Sequence, residues 1–206
     1  MNTRTYPRIS TSVSKLGTAI ATVNLPAVIT CRPDAPCYKQ CYAKRGNFAY
    51  KGVKNGIQKN LDAYLENPEG FFKVIDAELT MIPYRYFRFH SSGDCPDMQY
   101  LDLMFKLARK HKQTKFLCFT KKYEMVNTYL DGHRKPRNLT LVFSNWDDWR
   151  CENPHDLPCS YVKFNDKTEI PKKAIPCSGF CGDCVKSEGK NCWDLKKGQS
   201  VYFKKH

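Results

Sequence analysis

From Gly17 to Thr30 the run GTAIATVNLPAVIT is apolar and β-branched, interrupted at Pro26, and predicts one or two strands leading directly into Cys31. The period then changes. In residues 53–66 (VKNGIQKNLDAYLE) and 70–82 (GFFKVIDAELTMI) apolar positions recur at helical spacing: Ile57, Leu61, Tyr64 and Leu65, then Phe71, Ile75, Leu79 and Ile82. Asn67-Pro68 predicts the turn between two packing helices, with proline near the start of the second.

A repeated unit follows, in which an apolar or alternating strand ends in polar residues and gives way to a helix or an irregular segment. Tyr86 to His90 ends in Ser91-Ser92-Gly93-Asp94, before a helix over residues 97–111 with Leu101, Met104, Phe105 and Ala108 on one face. Lys115 to Phe119 ends in Thr120-Lys121-Lys122, before a helix over 122–130. Leu139 to Phe143 ends in Ser144-Asn145-Trp146-Asp147-Asp148. Residues 150–172 carry three prolines and one short strand, Tyr161 to Phe164. Ala174-Ile175-Pro176 is strand-like, and 201–206 is an edge strand or a basic tail. Strands alternating with helices at this spacing predict one α/β domain over 1–206, a partial (β/α) barrel or curled parallel sheet with cysteine-rich loops at the strand C-terminal ends. In such folds polar loops at those ends carry function.

Composition bounds the classes. The chain has 206 residues, 41% hydrophobic and 13% aromatic, enough for a core without staples. No window offers the roughly 18 apolar residues of a membrane span, and the first residues lack a signal-peptide run, so the expected setting is a reducing cytoplasm and no membrane partner. The formal charge of +14 allows a polyanionic partner, nucleic acid first, or a solvated basic surface.

Eleven cysteines in such a compartment point to ligation or catalysis rather than disulfides. Cys177, Cys181, Cys184 and Cys192 are separated by small and polar residues that build no core, and Gly179 and Gly182 let backbone wrap closely around a compact ligand. Four thiolates suit a [4Fe–4S] cluster or tetrahedral zinc; zinc favours paired short spacers, and only one CxxC occurs here, which favours iron–sulfur. Cys31, Cys37 and Cys41 form a weaker set with three thiols, which would leave an iron open for chemistry. Cys151, His155 and Cys159 could add ligands between Pro154 and Pro158, whereas Cys95 and Cys118 read as packing residues.

Beyond the cysteines, His90 and Asp94 are the candidate catalytic pair, able to orient a polar ligand or place a proton, or else to cap a helix and satisfy backbone. Ser91, Ser92, Thr120 and Lys121 are candidate cofactor contacts on the same rim. Around the first cysteine loop, Tyr38, Tyr42, Phe48 and Tyr50 interleave with Arg45 and Lys51, which suits base stacking beside phosphate contacts as well as core packing.

Cys37-Tyr38-Lys39-Gln40-Cys41-Tyr42-Ala43-Lys44, Arg88-Phe89-His90-Ser91-Ser92-Gly93-Asp94, Phe119-Thr120-Lys121 and the terminal cysteines together resemble the phage gene product 88 family, small phage proteins of iron–sulfur-like character. That resemblance implies a phage-encoded protein in the host cytoplasm and names no reaction. A more distant similarity is to radical S-adenosylmethionine enzymes, which place a three-cysteine loop after the first strand of a partial (β/α) barrel. Their CxxxCxxC spacing occurs here at Cys177, Cys181 and Cys184, while the N-terminal loop departs from it as Cx5Cx3C. If shared, this similarity implies S-adenosylmethionine as a second cofactor.

The expected function is an iron–sulfur protein with one or two [4Fe–4S] clusters, performing redox or radical chemistry on an unidentified substrate near His90 and Asp94. A non-catalytic nucleic-acid-binding protein with structural zinc or cluster sites is the alternative. A single cluster shared between the two cysteine groups is a third arrangement within the first class.

Overall fold

The computed structural model describes residues 6–11, 13–146, 150–165, 167–186 and 191–204. Asp147 and Asp148 of the expected third rim loop, and Lys205 and His206 of the expected tail, lie outside the described residues.

Eight strands form one sheet: β1 (Ile9–Ser10), β2 (Ile20–Val23), β3 (Tyr86–Phe89), β4 (Lys115–Thr120), β5 (Leu139–Ser144), β6 (Cys159–Lys163), β7 (Ile175–Pro176) and β8 (Ser200–Lys204). Their order is β1-β2-β3-β4-β5-β6-β8-β7, with β1 antiparallel to β2 and every other pair parallel. The sheet is not closed: β1 and β7 are its edges. The barrel expectation reduces to its coarser form, a mostly parallel open sheet in an α/β fold.

Four helices cross between parallel strands: α1 (Lys51–Glu66), α2 (Pro68–Met81), α3 (Met98–Lys110) and α4 (Tyr123–Gly132). Asn67 caps α2, its side chain accepting from the Gly70 amide, with Pro68 at the first turn where a missing N–H costs nothing. Asp97 caps α3 in the same way through the Tyr100 amide.

Alternation along the strands divides two cores. Ala21, Val23, Phe87, Phe89, Phe116, Cys118, Leu139, Leu141 and Phe143 face α1–α4, where Leu61, Tyr64, Phe71, Ile75, Tyr100, Met104, Phe105 and Val126 meet them. Ile20, Tyr86, Leu117, Val142 and Val201 face the other way, onto Leu16, Trp193 and Leu195. Helices cover one face, and the cysteine-rich C-terminal segment covers the other. Two hydrogen bonds pin that segment down: Trp193 Nε1 donates to Phe87 O at 3.1 Å, and Thr140 Oγ1 donates to Trp193 O at 2.7 Å.

Three local readings change. Leu65 and Ile82, placed on the packing faces by periodicity, are 64% and 48% exposed, because each sits in the last turn of its helix or just beyond it. The 17–30 run yields a single four-residue strand, since Pro26 and the left-handed Val28 (φ 76°) turn the chain immediately afterwards. Strand β6 begins at Cys159, two residues before the apolar run that signalled it.

Candidate metal centre

The rim is assembled by hydrogen bonds between neighbouring strand ends. Asn24, directly after β2, accepts at Oδ1 from Ser91 N and Oγ at 2.8 Å and from Ser92 N at 3.1 Å. Ser92 Oγ donates to Leu25 O. Gly93 (φ 88°) allows this approach, because a Cβ there would meet Leu25 O at 2.6 Å. Asp94 accepts at Oδ1 from the Cys95 amide at 2.8 Å and at Oδ2 from the Lys121 amide at 2.9 Å, joining the end of β3 to the end of β4. Burial raises the Asp94 carboxyl, against the opposing pull of those bonds and of the Thr120 hydroxyl. Thr120 Oγ1 also accepts from the Lys122 amide.

His90, Ser91, Ser92, Asp94 and Thr120 are therefore all buried, and their polar atoms largely serve one another and the backbone. His90 is left-handed (φ 63°), and its Nε2 lies 2.9 Å from the Tyr100 hydroxyl. Burial pushes the imidazole down to about 3, with Arg88 adding to the effect, so the ring is neutral at physiological pH.

Above the rim, Cys31, Cys37 and Cys41 share one loop. Burial pushes Cys31 up to about 11, reinforced by Asp94, Cys41 and Cys37 and opposed by the Val28 amide. Cys41 is also raised by burial, with the Ala43 amide, Lys44 and Lys121 pulling the other way. The three thiols thus feel one another, and Asp94 and Lys121 lie beneath them. Tyr42 anchors the loop by donating to Ser91 O.

The terminal group lies against the opposite face of the sheet. Helix α5 (Cys181–Cys184) is one turn, held where the Cys181 amide donates to Lys15 O. Gly182 is needed there: a Cβ would meet the Phe180 ring at 2.6 Å. Cys177, Cys184 and Cys192 line one pocket with Asn191, Ile175 and Val201. Asn191 Oδ1 is buried without a partner among the described residues. Burial pushes Cys192 up to about 12, with Cys177, Cys181 and Cys184 adding to it and Arg88 opposing. Cys181 is raised for the same first reason, with Arg88 and Lys15 opposing and Cys177 and Cys184 adding. Sulfur is hydrogen-bonded in three places: the Gly179 amide donates to Cys177 Sγ at 3.4 Å, Arg88 Nη1 donates to Cys181 Sγ at 4.0 Å, and Cys184 Sγ lies 3.2 Å from Ser178 Oγ, which itself donates to Phe180 O at 3.3 Å.

Arg88 is the site residue that pattern reading did not single out. It sits on β3 facing the terminal segment, its Nε donating to His90 O and its guanidinium 5.0 Å over the Phe119 ring. It acts on Cys181 and Cys192, and also on Tyr42, which in turn feels Cys31, Cys37 and Cys41. An arginine in a strand between aromatics, two residues before the rim histidine, was the available signal.

Among the described residues, the one set of three ligand atoms converging within 4.8 Å is His90, Cys95 and Cys118, all buried. Neither cysteine group converges so closely. Cys151 and Cys159 meet at 3.9 Å between sulfurs, but His155 Nε2 turns instead to Asn127 O and Asp131 Oδ1. No helix among the described residues is long and apolar enough to cross a membrane.

No curated protein and no solved structure matches the chain. A family match does span residues 2–174, taking in the Cys31 loop, the His90 to Asp94 rim and Cys95 and Cys118, and ending before the terminal cysteines. By that match the chain belongs to the gene product 88 family.

Proposed function

We propose that this is an iron–sulfur protein whose terminal thiols, Cys177, Cys181, Cys184 and Cys192, hold a [4Fe–4S] cluster against the face of the sheet opposite α1–α4. The observation carrying this reading is that Cys177, Cys184 and Cys192 line one pocket and Cys181 packs on the same apolar cluster as Cys177 and Cys192, while no three of the four thiols approach within 4.8 Å. A single zinc bound at about 2.3 Å would draw its sulfurs to edges of about 3.8 Å. Wider spacing suits a larger inorganic core.

The residues around the pocket fit such a group. Leu16, Ile20, Trp193 and Leu195 form an apolar floor that excludes water. The Gly179 amide and Arg88 donate toward sulfur, the interactions that tune cluster potentials, and the Ser178 hydroxyl oxygen lies beside Cys184 Sγ. When bound, the cluster supplies one-electron redox chemistry. Cys31, Cys37 and Cys41 are the second candidate set, a three-thiol site able to leave one iron open to substrate or to S-adenosylmethionine, with Lys121 contributing positive charge beneath it. Asp94 supports that loop from below by holding the ends of β3 and β4 together. Anaerobic purification followed by iron, sulfide and zinc analysis tests the reading, and cleavage of S-adenosylmethionine by the reduced protein tests its radical-enzyme form.

A specific observation supports nucleic-acid binding as a second reading. Tyr50 is 65% exposed and Lys44 lies 5.5 Å over the Tyr38 ring, so core packing does not account for Tyr50. Exposed rings interleaved with cations suit stacking on single-stranded bases.

A further inference from the structure

We propose that His90, Cys95 and Cys118 form a buried mononuclear site for a soft divalent cation, with zinc as the resident ion. The three side chains are 3%, 0% and 0% exposed, and their ligand atoms lie within 4.8 Å of one another. The sulfurs are 3.8 Å apart, the edge that two Zn–S bonds of about 2.3 Å subtend at a tetrahedral angle.

The imidazole supplies an independent observation. Nδ1 of His90 is buried and has no hydrogen-bond partner among the described residues, an unfavourable state unless something occupies its lone pair. Nε2 is engaged by the Tyr100 hydroxyl at 2.9 Å. With Nε2–H donating to Tyr100, the tautomer leaves Nδ1 free to coordinate, the arrangement by which outer partners orient metal-ligating histidines. His90 also keeps a left-handed backbone, held by its amide bond to Val23 O at 3.0 Å and by Arg88 Nε on its carbonyl.

Charge balance favours the ion in this apolar setting. Zinc binding releases one proton from each thiol, and two thiolates with a neutral imidazole then neutralise the dication. The site lies between the sheet and α3, remote in kind from the wider-spaced terminal thiols, so it stands whether or not those hold a cluster. Its function is to cross-link β3, the rim loop and β4 beneath the Cys31 loop.

The test is metal analysis of the full chain purified anaerobically from zinc-supplemented cells, with zinc K-edge absorption on the same sample. One zinc per chain with two sulfur and one imidazole scatterers is expected. C95S and C118S should each lose that zinc while iron and sulfide per chain stay unchanged. Because either variant could fold poorly, wild-type protein loaded with cobalt should separately show thiolate-to-metal charge transfer and low-symmetry d–d bands. A zinc-free wild type, zinc retained in both variants, or a zinc shell of sulfur alone with no imidazole would each overturn the proposal.

Discussion

The guanidinium of Arg88 lies 4.0 Å from the Sγ of Cys181, across the face of the sheet opposite α1–α4. This contact makes β3 the element common to both cysteine groups. Replacing Arg88 with Gln removes a positive charge beside the thiolates and should lower the reduction potential of the terminal cluster by roughly 50 mV or more, since that charge favours the electron-rich state. Redox titration monitored by electron paramagnetic resonance reads the shift. Arg88→Lys should recover part of it, and an unchanged potential in both variants would remove Arg88 from the site.

Asp94 should behave as a clamp. Its oxygens accept from the Cys95 and Lys121 amides, so Asp94→Ala leaves two buried donors unpaired and should cost about 2–4 kcal/mol. Denaturant midpoints measure this directly. Full stability with lost activity would instead return Asp94 to the catalytic role expected from its position after a strand.

One pH effect comes from a carboxylate and its two partners far from the thiols. Partial burial opposes ionisation of Asp76, but hydrogen bonds from Lys110 at 2.5 Å and His111 at 2.7 Å outweigh it and hold the carboxyl below its ordinary range. A carboxyl depressed in the folded state adds stability that is present above the unfolded value near 4 and fades as pH falls through the folded one. Because solvent screens a pair whose lysine is 62% exposed, Asp76→Asn should cost only about 0.5–1 kcal/mol at pH 7, with the gap to wild type closing below pH 4 in thermal melts.

Much of the scaffold was legible because the signals were local. Asn67-Pro68 marks the start of α2, while alternation in Tyr86 to Phe89 and Lys115 to Thr120 set the faces of those strands; the helix-capping role weighed for Asp94 belongs instead to Asp97. The site was less legible because its key relations are non-local. Cys118 meets Cys95 only because β4 pairs with β3 in a register that sets Cys118 opposite Phe89, and from sequence both cysteines read as packing. Asn24, which organises the serines of the rim, lies more than sixty residues from them. Strand β1 is two residues long, too short for any period to announce it.

The exposed aromatic loop offers a separate check. Tyr50→Ala should weaken binding to a single-stranded oligonucleotide by about 1–3 kcal/mol while leaving the melting temperature unchanged. Fluorescence anisotropy across a salt series would also show whether affinity falls steeply with ionic strength, as phosphate contacts by a chain of +14 charge require. Weak, salt-insensitive binding by wild type would dispose of this second reading.

The most direct measurement is the iron and acid-labile sulfide content of anaerobically purified protein, with its visible spectrum, compared with a C181A/C184A double variant. Four irons and four sulfides per chain, with broad brown absorption lost in the double variant, is the predicted result, and a second set of four would place another cluster at Cys31, Cys37 and Cys41. A colourless protein holding zinc on the terminal thiols and no iron would contradict the account.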